Sequence, residues 1–320
     1  MRFPLADWID GHPECRYSFG SSGMRGVVGP RTPTARQLRT ATEAELRTRL
    51  ADLLDVAADR IFLGPGATEA NAWVTGFVAG RARGRVPRCR VEYPEYPPLF
   101  DGARAAGFRL VETGAAQADL AVLSQPRNPV GDLWTRERFA DYASTARATL
   151  VDETFREFSP APSVLRWTVP GVWATGSFTK VYGADDLRVG FVVAPEPEQL
   201  AFARFHGLVA DEMARFAVAG ALATLDARAS ILAHVRRLIG RNQEAWRDAR
   251  PRGPRLAASV VFDAPVAPDG GALARRCLRR SILVCPGSFF GDRSGVRLGL
   301  TRPTFAADLA RYRAVADGPG

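Results

Sequence analysis

From residue 60 to about 195 the chain alternates short runs of β-branched and apolar residues with stretches of helical spacing, and few architectures accept that alternation. Candidate strands cover 61–63, 90–93, 109–111, 120–123, 149–151, 172–175 and 189–193, with helical stretches near 67–83, 97–106 and 135–147. Strands joined by crossover helices build a mostly parallel sheet covered on both faces, with ligand groups at the carboxyl ends of the strands. A long helical region, about 197–250, follows Pro195 and Pro197. After the break at 251–254 the spacing predicts strands near 258–263, 282–285 and 296–300 and helices near 270–280 and 304–316. The expected fold class is therefore α/β, a large domain with a doubly covered sheet plus a smaller α+β C-terminal domain. We expect an N-terminal segment over 1–35 packing on the small domain, the large domain over 36–200, an interdomain helical region over 201–250 and the small domain over 251–320.

Composition removes several function classes. With 46% hydrophobic and 24% charged residues the chain is neither disordered nor fibrous. No apolar run reaches the roughly 18 to 20 residues of a membrane span, and Met1-Arg2-Phe3-Pro4 opens no signal-peptide core, so a cytoplasmic protein without a membrane partner is expected. Cys15, Cys89, Cys277 and Cys285 show no metal or redox spacing, and His12, His206 and His234 no ligand spacing, so no metal is expected. A Gly-x-Ser-x-Gly nucleophile elbow is absent. The net charge of +9 is lopsided: residues 1–200 carry 24 basic and 24 acidic side chains, residues 201–320 carry 19 and 10. Those arginines fall in helix-like stretches such as 236–255 and 275–280, without interleaved aromatics or a nucleic-acid module. They read as a solvated helix face, with attraction of an anionic small substrate left open, and no nucleic-acid partner is expected.

Of the 43 basic side chains all but one are arginine, and the exception is Lys180. Arginine replaces lysine for charge and solvation, but its guanidinium stays protonated and cannot form a Schiff base with an aldehyde. A lone lysine could survive by chance, so its neighbours have to decide.

Four segments at strand ends answer that question. Gly64-Pro65-Gly66-Ala67-Thr68-Glu69-Ala70 follows a predicted strand and opens a helix, so its free amides and helix dipole suit a phosphate. Asn128-Pro129-Val130-Gly131 presents a side-chain amide at a rigid turn. Asp152 ends a strand, where a buried carboxylate is costly unless a cation pairs with it. Ser177-Phe178-Thr179-Lys180 follows, with Arg188 eight residues beyond the lysine.

This ordered set resembles the fold-type-I pyridoxal-phosphate enzymes of the class I/II aminotransferase superfamily, over about 36–310. The resemblance implies pyridoxal 5′-phosphate as cofactor, a homodimer, and an α-amino acid with a keto acid as partners. It makes Lys180 the Schiff-base lysine, which later carries protons at the substrate α-carbon, and Asp152 the partner of the pyridinium nitrogen. It has Asn128 bond the ring hydroxyl oxygen and Tyr96 stack on the ring. The phosphate falls to Ala67, Thr68, Ser177 and Arg188. In Val296-Arg297-Leu298-Gly299-Leu300 it makes Arg297 the binder of the substrate α-carboxylate, with Arg302 as the rival five residues on.

Departures from the pattern bear on the reaction. Relatives often carry tyrosine three residues after the aspartate; here Phe155 stands there, and loss of that phenol should raise the pKa of the Schiff base. The tyrosine that a partner subunit often lends to the phosphate is not found before Leu46-Arg47. Amino transfer is the first reading; decarboxylation, elimination, cyclisation or oxidation of an amino acid by the same cofactor is the alternative. In length the chain is similar to histidinol-phosphate aminotransferases and threonine-phosphate decarboxylases. Its Ser18-Phe19-Gly20-Ser21-Ser22-Gly23-Met24 run is similar to a segment of capreomycidine-synthase-like enzymes, although a plain Gly/Ser loop explains it as well. A regulatory domain of this fold needs a DNA-binding module, for which the first 35 residues are expected to leave no space. The adjacent Asp185 and Asp186 read as loop solvation.

Overall fold

The computed structural model describes residues 4–112, 117–264 and 269–318. Its N-terminal part forms helix α1 (Pro4–Asp10), the short strand β1 (Tyr17–Ser18), α2 (Ala35–Thr40) and α3 (Glu43–Leu54). Local chemistry starts the two later helices: Thr34 and Gln37 form a reciprocal capping box, and the Thr42 hydroxyl accepts from Glu45 N. Hydrophobic periodicity does not announce α2, which buries none of its residues.

The sheet comes next, as β2 (Ile61–Gly64), α4 (Ala67–Gly80), β3 (Arg88–Val91), α5 (Pro97–Ala105), β4 (Arg109–Val111), β5 (Ala118–Ser124), α6 (Arg136–Ala143), β6 (Ala146–Asp152), β7 (Val172–Ser177) and β8 (Gly190–Val193). Seven strands lie in the order β2-β8-β7-β6-β5-β3-β4, parallel from β7 through β4, with β8 antiparallel to both its neighbours. Strand β5 is buried at every position, as expected for a strand covered on both faces. The mostly parallel α/β sheet expected from the alternation is what the chain forms. All seven sheet strands overlap their expected positions, with ends that shift by up to three residues.

The long helical region resolves into α7 (Gln199–Val209), α8 (Arg215–Asp226) and α9 (Arg228–Ala249). The gap between α7 and α8 has a tertiary cause, because Met213 N donates to Glu43 Oε1 on α3 at 2.7 Å. The last part contains β9 (Val260–Asp263), α10 (Gly270–Leu278), β10 (Ile282–Leu283), β11 (Cys285–Pro286), β12 (Val296–Gly299) and α11 (Phe305–Ala316). Strands β11-β12-β9 form an antiparallel sheet, and β1 pairs in parallel with β10. One apolar cluster runs from Leu46 and Leu50 on α3 through Val218 and Leu222 on α8 and Val235 and Ile239 on α9 to Leu298 and Tyr312, tying the elements together.

Candidate functional site

Strand register brings the carboxyl ends of the central strands level: Ser124 on β5 is opposite Asp152 on β6, which is opposite Thr175 on β7. The loops that leave these ends surround a cleft of about 640 Å3, open mouth included. Its walls include Ala67, Thr68, Tyr96, Asn128, Asp152, Ser177, Lys180 and Arg188, so eight of the nine residues picked from the sequence converge there.

Asp152 is buried and held from two sides. Asn71 Nδ2 donates to its Oδ2 at 2.9 Å and Thr154 N to its Oδ1 at 2.9 Å. Asn71 itself accepts from Thr175 Oγ1 at 2.6 Å, and all three side chains are buried. This chain of bonds fixes the carboxylate, with no arginine or lysine among the described residues in direct contact.

Lys180 follows β7 in a tight segment. Its carbonyl accepts from Met24 N at 2.8 Å, and Gly23 leaves the room its side chain needs, since a Cβ there would come within 3.1 Å of Lys180 Cδ. Burial is the main force lowering the amine's pKa below that of an ordinary lysine; Arg297 and Arg188 push the same way, against Asp185 and Asp152.

At the mouth, Gly66 N-caps α4 with φ +117°, a conformation that glycine alone adopts readily. A Cβ on Gly66 would come within 2.9 Å of Arg188 Nη2, which donates to Pro65 O at 3.0 Å. Gly190 lets β8 run against the same turn, because its Cβ would fall 2.4 Å from Gly66 C. The result is one compact set of donors: the first amides of α4, the Ser177 hydroxyl, 2.8 Å from Thr179 Oγ1, and the Arg188 guanidinium. Tyr96, at the start of α5, hydrogen-bonds Thr68 through its side chain, and burial drives its phenol up to about 12.

Arg297 does not line the cleft. It is 2% exposed on β12, where its Nη2 donates to Gly20 O at 2.6 Å and contacts Cys285 Sγ at 3.3 Å; its guanidinium carbon is 5.2 Å from the Phe290 ring centroid. Its charge nevertheless acts on both Lys180 and Tyr96. The rival Arg302 is taken up by Asp308 at 3.1 Å.

Sequence reasoning missed Asn71, Thr154 and Asp185. Asn71 is one turn inside α4 and 81 residues from its partner, so nothing local marks it. Thr154 and Asp185 both line the cleft with a buried side-chain oxygen that has no hydrogen-bond partner. Asp185 is half-buried and turns one oxygen away from solvent, whereas its neighbour Asp186 is exposed and paired with Arg25 at 3.2 Å.

The family model of class I and II aminotransferases matches residues 29–303. Histidinol-phosphate aminotransferase 2 of Thiobacillus denitrificans is 30% identical over 287 residues, covering 82% of this chain and 76% of that enzyme. Aromatic amino acid aminotransferase of Streptomyces avermitilis is 31% identical over 154 residues, and the match spans 45% of this chain and 42% of that enzyme's length. Among solved structures, a PLP-dependent aminotransferase from Streptococcus suis superposes with a TM-score of 0.78 at 19% identity, covering 100% of this chain and 99% of that one.

Proposed function

The chain belongs to the class I and II aminotransferase family, and from that premise we propose that it is a pyridoxal-phosphate aminotransferase that moves the amino group of an α-amino acid to a keto acid. The observation that carries the reading is the convergence of eight sequence-chosen residues on one cleft around the chain's only lysine. The residues fit the cofactor. Asn128 lines the cleft with its amide oxygen buried and unpartnered, Gly66 keeps open the space beside Arg188, and a carboxylate, a lysine and an arginine face one cavity.

When bound, pyridoxal phosphate supplies an aldehyde that condenses with an amine and a ring that takes up the electron pair released at the substrate α-carbon. Lys180 would provide that amine, and its lowered pKa leaves more of it neutral and able to accept or return the α-carbon proton. Asp152, oriented by Asn71 and Thr154, would hold the proton on the ring nitrogen. The amides of Ala67 and Thr68, with Ser177 and Arg188, would hold the phosphate. Tyr96 would stack on the ring and Asn128 would bond its hydroxyl oxygen. Arg297 would take the substrate carboxylate, exchanging its bond to Gly20 O for the stronger charged pair. Phe155 lines the cleft where relatives carry a phenol, so the ring oxygen has one donor fewer.

We also propose a homodimer and a cytoplasmic location. No single helix among the described residues is long and apolar enough to cross a membrane, and α8 with α9, bent by 71°, turns its apolar face into the core. The divisions at residues 35, 200 and 250 belong to the same proposal.

The test is direct. Purified protein is incubated with amino acids plus pyruvate or 2-oxoglutarate, with and without oxygen. Stoichiometric exchange of amino acid for keto acid supports transfer; ammonia, carbon dioxide or peroxide release would replace it with a lyase, decarboxylase, cyclase or oxidase. Lys180→Arg should lose both the visible absorbance of bound cofactor and turnover, and retention of both would remove Lys180 from its role.

A further inference from the structure

The proposed function leaves one charged group in the cleft without a task. Asp185 lines the cleft with Lys180 and Arg188, its Oδ2 is buried without a donor, and no arginine among the described residues pairs with it. Among the charges acting on Lys180, Asp185 is the foremost anion, ahead of Asp152. The other charges are matched once cofactor and substrate are in place. Arg188 has the phosphate, Asp152 the ring nitrogen and Arg297 the substrate carboxylate. Lys180 would be committed to the cofactor aldehyde, so neither it nor Arg188 is left as a partner for Asp185. A partly buried carboxylate without a counter-charge is unfavourable, and the next group to enter is the substrate side chain.

We propose that Asp185 determines substrate specificity, and that the amino acid taken carries a distal cation, a guanidinium or an ammonium group. This inference rests on the aminotransferase reading and narrows its substrate class. The basic C-terminal third had left an anionic side chain open. Yet among the described residues Lys180 and Arg188 are the only cations on the cleft wall and both are committed, so an anionic side chain finds no free partner there.

Calorimetry on the cofactor-loaded protein tests the proposal with two unreactive acids, δ-guanidinovalerate and δ-ureidovalerate. They lack the α-amino group, share a shape and differ in charge. The guanidinium acid should bind on the order of 10- to 100-fold more tightly, the usual range for one hydrogen bond to a charged group. That preference should collapse in Asp185→Asn and persist in Asp186→Asn. Equal binding of the two acids by the wild-type protein overturns the proposal even if Asp185→Asn does not fold, and so does a preference that survives the substitution. In parallel, the holoenzyme is offered arginine, citrulline and glutamate with pyruvate. Turnover of citrulline or glutamate as fast as arginine overturns the role of Asp185 and leaves the aminotransferase reading intact. Absence of keto acid from every amino acid overturns that reading and the inference built on it.

Discussion

Asp152 is oriented by a residue that is not part of the cleft wall. Asn71 bonds both Asp152 and Thr175, so Asn71→Ala strips one donor from a buried carboxylate and one acceptor from a buried hydroxyl. We expect a loss of about 1–3 kcal/mol in denaturant unfolding and a kcat that falls more than KM rises, since the substrate carboxylate site is untouched. An unchanged kcat would limit Asn71 to a structural role. Lys180 makes a second prediction, in the cofactor-free protein. Its pKa is lowered in the folded state, so between that value and the unfolded value near 10.4 the unfolded chain binds the extra proton and stability rises with pH. Below the window the lysine is charged in both states and its burial costs the most. Lys180→Met should therefore be more stable than wild type at pH 7, with the gap closing toward pH 10; a constant gap across that range would refute the assignment. The convergence of Lys180, Asp152, Asn128 and Arg188 on one cleft was legible in the sequence because the chemistry proposed for them demands one residue type at a set spacing. Asn71 and Asp185 were not, because their roles come from register and burial that no local pattern encodes.

At the scale of elements, the turn from β2 into α4 is where backbone shape would govern the proposed phosphate site. Gly66 holds φ +117° and leaves Arg188 Nη2 its place, while Gly190 brings β8 against the turn. Gly66→Ala adds a strained backbone and displaces the guanidinium, and we expect about 1–3 kcal/mol of lost stability with cofactor retention weakened about tenfold or more. Equilibrium dialysis of the cofactor and a thermal melt measure the two effects separately; undiminished cofactor affinity would detach this turn from the phosphate. Gly80→Ala, on the same helix with open space around it, serves as the control. The turn could be read in advance because Gly-Pro-Gly between a strand and a helix has few conformations. The helices over 199–249 could be read only as a stretch, since their breaks follow from contacts such as Met213 to Glu43. Helix α2 went unseen because it has no buried face to create a period.

For the whole molecule, the outer surface bears on the proposed dimer. Leu208 and Phe216 are 85% and 61% exposed, and Val209 between them is 47% exposed, at the junction of α7 and α8. Single exposed leucines are ordinary, but three large apolar side chains exposed within nine residues are more than a chain usually leaves to water, and we expect a partner to cover them. In a two-fold dimer the same patch serves on both subunits, so a charge placed in it acts twice in one interface. Leu208→Asp combined with Phe216→Asp should therefore convert a dimer to a monomer in sedimentation, while far-UV circular dichroism stays unchanged because neither side chain belongs to the core. Activity of the monomer then reports on the cleft. Its walls as described come from one chain, and turnover that survives dissociation would mean that this chain alone completes the site. Turnover that vanishes with the dimer would mean that the partner subunit lends a group, in place of the tyrosine that was not found before Leu46-Arg47. A double variant that sediments as the wild type does would remove the patch from the interface.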